Sequence, residues 1–261
     1  MAKSRFFRRL RILFLLFVLF IVGVDAWLTK VKTTDWDSPL RMVIYPINAD
    51  GSEVSQQYMN DLSTLVFEPV VRYFSEEAGE YDLLLKSPVT ITLGPVISQL
   101  PPEPPADRNV IKVMWWSLAL RWWAFRVDDY EGPPVNIRMF LLYHDPDKTQ
   151  RLAHSLGLEK GLIGVVNAFA HQQYAAKNNV IIAHEFLHTV GATDKYDLET
   201  GQPLFPVGFV DPEKKPLYPQ EFAEIMAGAI PVSQTQSRMP AALSDTLIGI
   251  QSAREINWVN E

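Results

Sequence analysis

The sequence predicts an α/β fold, of the α+β kind if the helices segregate, built on a mixed sheet. Three observations predict it. Apolar residues make up 48% of the 261-residue chain, enough for a substantial core. Short β-branched runs alternate with longer helical patterns, in the order strand, helix, strands, helix, loop, helix. No internal repeat is visible, which argues against a solenoid or propeller.

Taken in order, RMVIYPI (41–47) reads as a strand. Residues 52–79 read mainly as an amphipathic helix that Pro69 would kink. PVTITLGPVI (88–97) is a second strand. LPPEPP (100–105) can be neither helix interior nor central strand, so it opens an excursion over about 100–133. Within it, 109–127 is a helix by length and composition, and its pairs Trp115/Trp116 and Trp122/Trp123 stand seven apart on one broad face. That face suits either the cover of a sheet or rest on a bilayer. PVNIRMFLLYH (134–144) is a third strand, and 156–170 holds one or two more, broken at glycines. A helix follows from about Asn179 to Val190, then a proline-rich irregular stretch to about 238. Residues 239–258 predict a closing helix with Pro240 in its first turn.

Residues 1–31 read as a targeting segment and 32–261 as the folded part. Lys3, Arg5, Arg8, Arg9 and Arg11 precede thirteen uncharged residues, Ile12 to Val24. This pattern directs a chain out of the cytoplasm. Reading the apolar run through Trp27 and Leu28 reaches the low end of a span, about seventeen residues. The expectation is therefore a single-pass cell-membrane anchor with the remainder outside (periplasmic in a bacterium). A product secreted after cleavage at Ala26 is the alternative. The net charge of -6, with no basic block beyond the N-terminus, argues against a nucleic-acid partner. The absence of cysteine excludes disulfides, thiolate metal sites and a cysteine nucleophile.

The chemistry concentrates in HEFLHTVGATD, residues 184–194. On a helix, residues four apart lie nearly above one another, so His184 and His188 can reach one ion. Glu185 projects about 100° away, able to act on a group at the ion without ligating it. Gly191 follows three residues after His188, where a helix-ending glycine can reverse the chain. Asp194 follows three further on, where the returning chain can bring a third ligand. Asp197 competes for that role at longer spacing, and Glu199, Glu221 or Glu224 would serve in a glutamate-ligand arrangement.

This string resembles the metzincin metallopeptidases, whose motif is H-E-x-x-H-x-x-G-x-x-H followed by a methionine turn. Asp194 stands where most carry His, as in the snapalysin-like members. The resemblance implies a metzincin-like zincin domain with a mostly parallel sheet, an active-site helix, a Met-turn and a C-terminal helix. It implies one catalytic Zn2+ on His184, His188 and Asp194, Glu185 as general base and acid, and Met226 in the turn beneath the metal. The substrate would be a protein or peptide, paired with an edge strand supplied by GLIGVVNAFA (161–170). The membrane would be contacted through the N-terminal segment. A zinc hydrolase acting on a non-peptide, or an inactive metal-stabilised envelope protein that binds a partner, are the rival readings.

Tyr196 and Tyr218 are candidate donors to a tetrahedral oxyanion. His144, Asp147, His154 and His171 raise a second metal site, but their spacing favours surface and loop histidines.

Overall fold

The computed structural model describes residues 11–259 apart from 13, 18, 19, 21, 22, 25–33, 108 and 160. Its centre is a five-stranded sheet of β1 (Leu40–Asn48), β2 (Val89–Leu93), β3 (Ile137–His144), β4 (Leu156–Leu158) and β5 (Ile163–Phe169). The strand order is β2-β1-β3-β5-β4. The β1–β2, β1–β3 and β3–β5 pairs are parallel, and the edge strand β4 is antiparallel to β5. The fold is thus mixed α/β with a mostly parallel sheet. The strand expected at the edge, 161–170, is instead interior, because the short LGL run 156–158 pairs outside it.

Both sheet faces are covered, as parallel sheets require. Along β1, Met42 and Ile44 face one cluster while Val43, Tyr45 and Ile47 face the other, the period-2 alternation of a strand. The larger cluster packs against α1 (Glu53–Asn60), α2 (Glu68–Glu80), α4 (Ala175–Thr189) and α5 (Ile250–Glu255), with Phe74 on Phe186 at 4.6 Å between ring centroids. The smaller one lies under α3 (Val110–Val127).

The helix expected over 52–79 is two helices joined by a 3-10 turn, Thr64–Phe67. Pro69 sits in the first turn of α2, where its missing N–H costs nothing, so it starts a helix instead of kinking one. The closing helix is shorter than expected: α5 begins only at Ile250, and Met239 and Pro240 lie in irregular chain before it. The four tryptophans of α3 do not share a face. Neighbouring residues are 100° apart, so Trp116 and Trp123 pack inward with Leu120 and Ala124 while Trp115 and Trp122 are exposed.

The expected membrane anchor is corrected. Among the described residues no helix is long and apolar enough to cross a membrane, so the single-pass arrangement is unsupported. Residues 13, 18, 19, 21 and 22 of the apolar run, and residues 1–10 and 25–33, with the cleavage position after Ala26, lie outside the described residues.

Candidate metal centre

Helix α4 carries His184, Glu185 and His188, and its C-terminal end builds the rest of the site. Gly191 adopts φ +108, a conformation that other residues rarely take. Its N–H bonds the His188 carbonyl at 3.2 Å and the Ala192 N–H bonds the Leu187 carbonyl at 3.0 Å. This Schellman pattern closes the helix and turns the chain back across its own face. Asp194 thereby meets both histidines: its Oδ1 lies 3.3 Å from His184 Nε2 and 3.1 Å from His188 Nε2. Among the described residues these three form the one group placed to hold a metal ion.

Each histidine is oriented through its other nitrogen. His184 Nδ1 lies 2.9 Å from the Ile225 carbonyl and His188 Nδ1 lies 2.9 Å from the Ala192 carbonyl. A carbonyl only accepts, so both Nδ1 atoms carry the proton and both Nε2 atoms present a lone pair inward. The spacing also fits an ion. A tetrahedral zinc with bonds of about 2.0–2.1 Å separates its ligand atoms by about 3.3 Å. The donor set, two imidazoles and a carboxylate, suits zinc or another borderline divalent metal.

Electrostatics tie these groups together. For Asp194, burial would raise the carboxyl, but the two imidazoles of His184 and His188 beside it hold it far below its usual range. For His184, burial would lower the imidazole, and the Asp194 carboxylate and Glu185 outweigh this and raise it. Glu185 is 5% exposed, and burial first, then repulsion from Asp194, pushes its carboxyl up against the pull of both histidines. Its Oε2 is buried without a hydrogen-bond partner, an orphan acceptor facing no protein donor.

The turn that carries Met226 is a 3-10 turn, Ile225–Ala227, closed by Gly228 in the left-handed region. Met226 is fully buried in the core, and the turn's backbone serves the site twice. The Ile225 carbonyl orients His184, and the Met226 carbonyl accepts the Lys195 N–H at 2.9 Å. Glu224 is not a ligand. Its carboxylate accepts from Ala227 N–H, Gly249 N–H and the Ser252 hydroxyl, tying the turn to the start of α5.

Asp197 is also spent elsewhere, accepting from the Glu199 and Thr200 N–H groups and the Thr200 hydroxyl in its own turn. Tyr196 adjoins Asp194. Burial and the negative charge of the neighbouring Asp194 carboxylate raise its phenol to about 12. Tyr218 packs edge-on against Phe209, with ring centroids 5.8 Å apart. His144 bonds the Asn167 side chain and His171 caps the turn 172–174, so neither joins a metal cluster among the described residues.

Sequence reasoning missed two supports. Gly157 on β4 touches α4: a methyl there would lie 2.3 Å from the Glu185 carbonyl oxygen and 2.7 Å from His188 Cβ. Only the glycine in LGL hinted at this. Glu255 on α5 accepts from both neighbours of Asp194, and no pattern in the sequence pairs residues sixty apart. No family model matches the chain, and no curated protein matches it.

Proposed function

We propose that the protein is a zinc-dependent endopeptidase in which His184, His188 and Asp194 hold one catalytic Zn2+. The observation that carries this is the Asp194 carboxylate lying 3.3 and 3.1 Å from two imidazole nitrogens that are both oriented by backbone carbonyls. A bound zinc supplies Lewis acidity, bringing the pKa of water towards neutrality and polarising a carbonyl. Glu185, buried beside the ligands with a free Oε2, takes the water's proton and delivers it to the leaving amine. Tyr196 lies beside Asp194 and is the candidate to hold developing negative charge on the substrate oxygen through its hydroxyl. Met226 supports the site from the core side.

The edge strand supports an extended substrate. β4 pairs with β5 on one side and ends the sheet on the other, and Gly157 sets it directly against the active helix. A peptide added to that edge runs alongside His188 and Glu185, its backbone held by strand-like hydrogen bonds. This favours a peptide over a small non-peptide substrate. The test is a peptide library incubated with protein of measured zinc content. The account expects about one zinc per chain and cleavage that a chelator abolishes. A zinc-loaded protein that cleaves no peptide would refute the peptidase reading.

A further inference from the structure

We propose that Glu255 is a positioning residue for the third metal ligand, holding the 193–195 segment so that Asp194 faces the two histidines. The inference rests on reading the site as a metal centre. Asp194 lies on chain with no regular secondary structure, so no ladder fixes its place. Glu255, reaching over from α5, fixes both of its neighbours. One carboxylate oxygen, Oε2, accepts the Thr193 N–H at 2.8 Å and the Lys195 ammonium at 2.7 Å, while Oε1 accepts the Thr193 hydroxyl at 2.9 Å. Lys195 Nζ adds bonds to the Thr193 carbonyl at 2.7 Å and hydroxyl at 2.8 Å, closing the knot. Thr193 and Lys195, both bound to Glu255, flank Asp194 and hold it on the histidine side.

The knot is also selective for its acceptor. Lys195 is 3% exposed, and Glu255 is the carboxylate that pairs with it. A buried ammonium deprived of its partner reorganises to find water or another acceptor. That movement begins one residue from Asp194. The Lys195 N–H is bonded to the Met226 carbonyl, so the displacement reaches the turn that carries Met226 as well.

The experiment uses the full chain and compares wild type, Glu255→Gln and Glu255→Ala, with Val70→Ala as a core-destabilising control remote from the loop. Zinc affinity is read by chelator competition, ligand geometry by the visible absorption of the cobalt-substituted protein, and stability by the melting temperature of the metal-free form. Both Glu255 variants are expected to bind zinc about ten- to a hundredfold more weakly and to lose intensity in the cobalt bands. Val70→Ala is expected to melt lower with zinc affinity unchanged. If Glu255→Ala does not fold, Thr193→Val, which removes the hydroxyl's bonds to Glu255 and Lys195 and keeps the Thr193 N–H bond to Glu255, is expected to weaken zinc severalfold. Zinc affinity and cobalt spectra equal to wild type in the variants would overturn the proposal. So would a loss in Val70→Ala as large as in Glu255→Gln. A wild type that binds no metal would overturn the metal centre itself, a distinct result.

Discussion

Gly157 and Glu185 approach so closely that a methyl group on Gly157 would lie 2.3 Å from the Glu185 carbonyl oxygen. The sheet edge and helix α4 are therefore in close contact at the residue proposed as the base. Gly157→Ala forces β4 away from α4, and overpacking of this kind costs about 1–3 kcal/mol. Because His188 Cβ lies in the same path, the variant should lose peptide cleavage beyond what its lower melting temperature explains. Thermal melts and kcat/KM measured together check this. An unchanged kcat/KM would show that the edge is not part of the substrate site.

Asp194 and Asp197 are separated by function. Asp194→Ala removes the oxygen that both histidines face and should abolish stoichiometric zinc binding. Asp197→Ala undoes a local turn and should leave zinc content at about one per chain. Elemental analysis of the two proteins decides between them, and the reverse pattern would move the third ligand to Asp197.

The site was more legible than the fold around it. His184, His188 and Gly191 are local: helical periodicity aligns the first two, and a positive-φ glycine ends the helix. Asp194 follows because the Schellman turn has a fixed geometry. Elements fixed by distant contacts were not legible. The one or two strands expected over 156–170 are two, but nothing local showed that LGL and not 161–170 forms the sheet edge, where three register pairs with β5 hold it. The closing helix was overextended because apolar residues in 239–249 have helix-like spacing. There Leu243 is instead buried from a 3-10 turn, Leu243–Asp245, and Ile248 from irregular chain, where Glu77 and Glu224 accept the Ile248 and Gly249 N–H groups. Glu255 and Lys195 carried no signal in the sequence, since their pairing exists only after folding.

Glu77 gives the fold a pH signature. Burial, partly offset by the Ile248 N–H it accepts at 2.6 Å, pushes its carboxyl up to about 7. Between 4.5 and about 7 the folded chain keeps a proton that the unfolded chain has released. Its contribution is therefore full at acid pH and is lost as pH rises across that window. Glu77→Gln stays neutral and can still accept from Ile248. The metal-free variant should match wild type near pH 4 and exceed it near pH 8 by up to about 3 kcal/mol. Urea unfolding at both values measures this, and a constant difference would refute the shift.

The central claim is that Glu185 moves the proton at a zinc site it does not ligate. Its most direct test is Glu185→Gln, assayed for zinc and for cleavage of a peptide that wild type cuts. The account predicts about one zinc per chain, with affinity near that of wild type, and kcat reduced at least about a hundredfold. Zinc retained with wild-type kcat would contradict it.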